Sequence, residues 1–599
     1  MTNRWQKCWD ANPEIYMLLK ESNALEEARA KLIGHLHTLD WNYRRDFAQI
    51  ESWDYILLKE AVRAFKNIIS PRNESLAQFS SLEYLWKSTL ENESPEIEEG
   101  FIEEFYHLFK AINGHSEIYP PSFLKEIGQY PDFSKLHGRE SGIARSEYLD
   151  SLSKSIASWI DRYPSGFNPK IVEKRIENKK RILDVLGGNE DDWYDYRWQF
   201  RNVMSDGEGF LQIKEIIELT PEEEKGIQLA LENDVPFGVT PHYLQLMDRQ
   251  PSRLDYAIRR QVFPPLNYVR RVIMHQDNKI ALDFMREYDT SPVELITRRY
   301  AKVCILKPYD SCPQICVYCQ RNWEITSPFM PGAMAPEETL NQALAWLSDH
   351  EEIMDILVTG GDPLVMNDRR IEHIVKSLAE MPHIRSIRIA TRFPVTVPMR
   401  ITLDLCKIFE DYYQIGEQTL CMVTHIEHPY EITRDMGKAI QRVKKAGMHV
   451  YNQQVFTLAN SKRFETVALR IAMKNIGIDP YYLFNLKGKA ELTDYAVPVA
   501  RALQERKEEA RLLPGIFRAD EPVFNVPFLG KNHLARWQDH ELISILADGR
   551  RMYSFHAWEK NLAKVRPYLY TDVSIHRYLE QLKEMGESLQ DYQSIWYYY

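Results

Sequence analysis

From residue 300 onward, short apolar runs rich in β-branched and aromatic residues alternate with stretches of helical periodicity. The runs are Val303 to Leu306, Ile353 to Thr359, Ile384 to Thr391, Thr419 to Thr424, His449 to Phe456 and Pro480 to Leu486. Between them lie Pro336 to Ser348, Asp368 to Ala379, Arg434 to Ala446 and Arg463 to Ile476, each with a helical apolar stripe. Strands separated by helices of this length form βαβ units, which require a parallel sheet. Six such units predict an α/β fold, a partial (β/α)6 or complete barrel. Chemistry in such sheets sits at the C-terminal ends of the strands.

The chain before this region reads as helical. Leu58, Val62, Phe65 and Ile69 recur at helical spacing until Ser70-Pro71, and Glu26 to Leu39 and Glu98 to Ile112 are similar. Thr220-Pro221-Glu222-Glu223-Glu224 has the marks of a helix start: an N-cap, Pro at the first position and acids in the first turn. Gly187-Gly188-Asn189 suggests a boundary. The expected spans are a helical accessory domain over 1–190, a helical arm over 191–298, the barrel over 299–525 and a C-terminal segment over 526–599. The net charge of -11 argues against nucleic-acid or anionic-membrane partners. The start, Met-Thr-Asn-Arg-Trp-Gln-Lys, has no apolar core of a secretory signal, and no stretch is long and apolar enough for a membrane span, so neither is expected. Seven cysteines in 599 residues do not make a disulfide framework, so a reducing cytoplasm is expected.

Cys8, Cys304, Cys406 and Cys421 are scattered, but Cys312, Cys316 and Cys319 fall within eight residues, just after the first strand-like run. Three thiolates on one loop can hold three irons of a 4Fe-4S cluster and leave the fourth open to substrate. A structural zinc site would need a fourth protein ligand, and none is evident nearby.

The spacing CxxxCxxC, with aromatic Tyr318 before the last Cys, resembles the signature of the radical S-adenosylmethionine (SAM) enzymes. Thr359-Gly360-Gly361-Asp362-Pro363, after the second run, resembles their Gly-Gly-acid motif for the SAM amino group. Further segments between Trp193 and His556 are similar to the lysine 2,3-aminomutase family. Among them are Arg392-Phe-Pro-Val-Thr-Val-Pro-Met-Arg400, Thr424-His425-Ile-Glu-His428-Pro429 and Asn452-Gln453-Gln454-Val455. The resemblance implies a radical SAM barrel and adds His425 and Gln453 to the cofactor-binding residues. It also implies pyridoxal 5′-phosphate (PLP) as a second cofactor. Pro527-Phe-Leu-Gly530-Lys531 matches the family loop that supplies the PLP lysine, one residue shorter and with a single glycine. Arg299 matches the arginine on the PLP phosphate.

In that family a 5′-deoxyadenosyl radical takes a hydrogen from the β carbon of a PLP-bound amino acid, and the nitrogen migrates. An external one-electron reductant is then required. Arg321 matches the arginine for the substrate α-carboxylate. The two aspartates that grip the distal ammonium of lysine are replaced here by Lys487 and Asn525. A buried ammonium beside a lysine is disfavoured, whereas a distal carboxylate is matched. The resemblance therefore points to the glutamate 2,3-aminomutase branch. Lysine, another amino acid or a protein-bound residue as substrate, and a non-catalytic iron-sulfur protein, remain alternatives. The family's C-terminal zinc cysteines have no counterpart, which leaves a homo-oligomer open.

Overall fold

The computed structural model describes residues 3–45, 52–90, 96–118, 125, 129–486, 490–527, 530–536, 538–556 and 566–599. The chain forms two compact units. One comprises Trp159–Ala496 and Glu509–Lys531; the other Met1–Ser158, Val497–Glu508 and Asn532–Tyr599. Residues 159–190, which the sequence groups with the N-terminal helices, fall in the first of these.

The first unit is built on a nine-stranded sheet whose strands lie in sequence order. They are β1 (Ile296–Thr297), β2 (Val303–Tyr309), β3 (Asp355–Gly360), β4 (Ser386–Ala390), β5 (Thr419–Thr424), β6 (His449–Phe456), β7 (Asp479–Asn485), β8 (Glu521–Val526) and β9 (Gly530–His533). β1 is antiparallel to β2, and from β2 to β8 each strand is parallel to the next. The sheet curls into a half-barrel. The six expected strands are thus extended by β1 at one edge and by β8 and β9 at the other.

Alternation along each strand divides the two faces. Ile356 and Val358 of β3 and Ile387 and Ile389 of β4 are buried in the main apolar core. That core also takes the apolar stripes of helices Glu337–Ser348, Asp368–Ala379 and Arg434–Lys445. Asp355 and Arg388 alternate with those residues and line the concave face. The helix Pro221–Glu232 starts as its sequence predicts: Thr220 accepts from Glu223 N–H, and the Glu223 carboxylate reaches back to Thr220 N–H.

The second unit packs helices Ser52–Ile68 and Glu99–Ile112 around Phe65, Phe101, Phe105 and Phe109. It also holds an antiparallel sheet of β10 (His540–Ile545), β11 (Arg551–Phe555) and β12 (Tyr568–Thr571). Arg551 and Glu104 form a fully buried ion pair in which both Nε and Nη2 donate to the carboxylate at 2.9–3.0 Å. Among the described residues no helix is long and apolar enough to cross a membrane.

Candidate active site

The loop after β2 is pinned to its surroundings by backbone hydrogen bonds. Ile315 N–H donates to Gly238, Val317 N–H to Gln261 and Asp362 N–H to Ser311. The turn after β3 packs so closely on this loop that its glycines are obligatory. A Cβ on Gly361 would stand 1.9 Å from the Ser311 carbonyl oxygen, and one on Gly360, at φ +119°, 2.2 Å from that of Tyr309. The Gly-Gly-Asp sequence thereby fixes the path of the cysteine loop. Asp362 is buried, and its carboxylate is filled from within the chain. It accepts from the Thr391 hydroxyl at 2.8 and 2.9 Å, Arg392 N–H at 2.8 Å and Leu364 N–H at 3.1 Å. Burial raises it to about 6 against those donors.

Cys312, Cys316 and Cys319 are all partly buried and free of disulfides. Burial pushes the Cys312 thiol far up, reinforced by the charges of Asp362, Cys319 and Cys316. Burial takes Cys316 to about 11, opposed by Arg392, whose Nη1 donates to its Sγ at 2.7 Å. Cys312 and Cys316, which burial keeps protonated, share their loop with Cys319, and a cation charge would draw their protons off. Among the described residues no group of His, Cys, Asp and Glu converges as a single ion requires. A 4Fe-4S cluster makes no such demand, since each thiolate binds its own iron.

Around this loop lies a buried polar network in which the expected Tyr318 and His425 are joined by Arg392, Glu427, Glu431 and Gln261, to which the sequence assigned no role. Arg392 Nη2 pairs with Glu431 at 2.8 Å and also reaches Gln261. The Tyr318 hydroxyl donates to Gln261 Oε1 at 2.9 Å and stands 3.2 Å from Glu427 Oε1. Burial raises Glu427 to about 8, with Glu431 adding to the effect and Arg392 opposing it. His425 is held neutral, down to about 4, by burial and by Arg392, and its ring bonds to the Gln453 backbone. Arg392 follows β4, and His425 and Glu427 follow β5. The rule that chemistry sits at C-terminal strand ends covers His425, which the resemblance had already named, and would also have flagged Arg392 and Glu427.

A second cluster lies on the concave face. Lys531 N–H donates to the Tyr300 hydroxyl at 3.0 Å, and Nζ stands 5.2 Å from the Tyr300 ring and 5.1 Å from that of Tyr482. Burial, then Arg388 and Arg299, lower the amine to about 8. Arg388 is itself held by Asp355 through two contacts, at 2.9 and 2.8 Å. The one glycine left in this loop is needed: Gly530 has φ +81°, and a Cβ there would meet the Tyr300 ring at 2.8 Å.

Arg299 pairs with Glu287 at 3.3 Å, yet its Nε and Nη2 are buried without a hydrogen bond. Glu287 also takes Lys307 at 3.4 Å and Arg321 at 2.7 Å. Burial would raise its carboxyl, but these three cations, Arg321 foremost, hold it down to about 2. Arg321 is in addition paired with Glu324 and, at 3.8 Å, Asp310, and its N–H donates to Cys319 Sγ at 3.3 Å. Asn525 is partly buried on β8, next to β7 in the sheet. Lys487 lies outside the described residues. The residues present suit a phosphate at the open guanidinium edge of Arg299 and a carbonyl group at the weakly basic Lys531.

The chain is 46% identical over 602 aligned residues to an uncharacterized KamA family protein of Methanocaldococcus jannaschii, spanning 98% of this chain and 96% of that one. It is 32% identical over 312 residues to a glutamate 2,3-aminomutase of Clostridioides difficile, spanning 52% of this chain and 69% of that one. It is 29% identical over 318 residues to an L-lysine 2,3-aminomutase of Acetoanaerobium sticklandii, spanning 53% and 72%. No family model matches the chain.

Proposed function

This chain belongs to the KamA family, and on that premise we propose that it is a radical SAM, PLP-dependent amino acid 2,3-aminomutase acting on glutamate. The observation that carries this reading is the pairing of two sites on one half-barrel. A three-thiol loop follows β2, and a depressed lysine amine lies on the concave face beside an arginine with open N–H groups. When bound, the cluster and SAM supply a carbon radical and PLP supplies the π system that lets an amino nitrogen migrate.

Cys312, Cys316 and Cys319 would ligate the cluster, with Gly360 and Gly361 holding their loop in place. Tyr318, Asp362, His425 and Gln453 would border SAM. A neutral His425 can accept or donate a hydrogen bond without adding charge beside a sulfonium. Arg299 would hold the PLP phosphate through its unbonded Nε and the Nη2 that it otherwise turns to Glu287. Lys531 would hold the PLP carbonyl carbon. With its pKa at about 8, roughly a tenth of the amine is neutral and nucleophilic at pH 7, against about one part in several thousand for an ordinary lysine.

Arg321 would orient the substrate α-carboxylate, which must then displace Glu287 or Glu324 from its guanidinium. Asn525 and Lys487 would meet the distal carboxylate. Both suit an anion, and neither suits the ammonium of lysine.

The test is anaerobic turnover with SAM, dithionite and PLP, scoring β-amino acid formation by chromatography for glutamate, aspartate, glutamine, arginine and lysine. Glutamate should be rearranged best. If lysine leads, the substrate assignment fails and the aminomutase class stands. If no amino acid rearranges while SAM is cleaved, the class fails too.

A further inference from the structure

The three thiols of the loop after β2 do not have equal surroundings. Cys319 Sγ receives the Arg321 N–H at 3.3 Å, a neutral donor, and Cys312 stands close to the buried Asp362 carboxylate. Cys316 Sγ instead receives Nη1 of Arg392 at 2.7 Å, from a guanidinium that is largely buried.

That guanidinium is aimed by its other contacts. Nη2 pairs with Glu431 at 2.8 Å and also donates to Gln261, and Nε donates to the His425 carbonyl at 3.3 Å. The backbone is tied as well, since Arg392 N–H donates to the Asp362 carboxylate at 2.8 Å. Glu431 is fixed in turn. Its carboxylate accepts the Tyr243 hydroxyl at 3.0 Å and the N–H groups of Glu427 and His428 at 2.6 and 3.2 Å. Each guanidinium nitrogen thus has its own partner, in a different direction. The planar fork of an arginine can meet all of them at once, whereas the point charge of a lysine cannot. The ion pair presents its positive end to Cys316.

The consequence is electrostatic. A cluster held by three thiolates is already anionic, and the electron that it takes from the external reductant adds one more negative charge. Burial resists that charge, and a cationic N–H on a ligand sulfur favours it. Cluster potentials follow net charge, exposure and the hydrogen bonds to the sulfurs, which outer residues supply.

We propose that Arg392 is a positioning residue that raises the reduction potential of the cluster, by holding a cationic donor on the Cys316 sulfur and so stabilising the reduced form. The inference rests on the reading of Cys312, Cys316 and Cys319 as cluster ligands. It adds to that reading a residue that sets how readily the cluster accepts its electron.

Anaerobic redox titration of the reconstituted full chain tests it, without SAM, with the reduced cluster followed by electron paramagnetic resonance. Iron and sulfide are counted first in each protein. Arg392→Gln and Arg392→Met remove the charge. Each should make the cluster at least roughly tenfold harder to reduce, a fall of about 59 mV for a one-electron couple. Arg392→Lys keeps a charge and should fall by less than the neutral variants. If the parent chain holds no cluster, the reading of the half-barrel fails and the inference with it. The inference alone is overturned, and Arg392 is a structural residue, if the parent holds a cluster and any of three results follows. A loaded neutral variant falls by less than the expected shift, Arg392→Lys falls as far as the neutral variants, or neither neutral variant can be loaded.

Discussion

Each unit buries a network of charges, and the two are built on opposite plans. In the helical unit Arg551 meets Glu104 one to one, and its remaining donors go to the carbonyls of Trp596 and Tyr598. In the half-barrel Glu287 is shared by Arg299, Lys307 and Arg321, of which Arg321 also meets Glu324 and Asp310, and the Arg299 Nε is buried without a hydrogen bond. A closed network holds a fold together. An open one, with a guanidinium nitrogen left unsatisfied, is poised to take an anion from solution. The difference separates residues kept for structure from residues kept for a ligand, although both sets are buried arginines and glutamates.

Breaking the closed network should have the largest effect on stability. Arg551→Ala leaves Glu104 buried without its cation, which costs about 3–5 kcal/mol. Thermal and urea denaturation of the full chain should show that loss. A fall below about 1 kcal/mol would place the pair among solvent-screened ion pairs.

The open network should behave otherwise. Arg299→Ala removes a cation whose hydrogen bonds are incomplete, so stability should change by less than about 1 kcal/mol. PLP affinity, read by absorbance titration, should fall roughly 10- to 100-fold, the worth of charge-assisted bonds of about 1.5–3 kcal/mol. Pyridoxal, which lacks the phosphate, should bind the variant and the parent alike. Equal loss for both ligands would mean that Arg299 acts on the fold and not on a phosphate.

A further effect concerns pH. Lys531 holds its proton less tightly folded, at about 8, than at its ordinary 10.5. Between those values the unfolded chain carries the extra proton, so stability rises with pH across that window. Lys531→Met should flatten the rise and leave the curve below pH 8 parallel to that of the parent. An unchanged slope would mean that the amine is not buried among the cations.

Much of the half-barrel was legible in the sequence. β5, β6 and the helix Asp368–Ala379 begin and end where the alternation of patterns predicts. The capping box at Thr220 is a local device, readable from four residues. β1, with two residues, and β8, interrupted by Pro522, carry too little pattern to be seen. The helical unit draws its core from both ends of the chain, and pairings such as Glu104 with Arg551 leave no mark in local periodicity.

The site divides in the same way. The cysteine spacing is contiguous and was plain. The partners of Lys531 are not: Tyr300 lies 231 positions away. Arg392 and Glu427 stood in conspicuous segments, but their part beside Cys316 and Tyr318 follows from strand register, which sequence alone does not give. The missing family glycines before Lys531 looked like a weakness. The structure shows instead that Gly530, which remains, is the one whose Cβ would strike Tyr300.

Borohydride reduction of the PLP-loaded protein, followed by peptide mapping, tests most directly whether the open network is the cofactor site. The pyridoxyl label should fall on Lys531 and disappear in Lys531→Ala. A label on any other lysine, or none in a protein that nonetheless rearranges glutamate, would contradict the account.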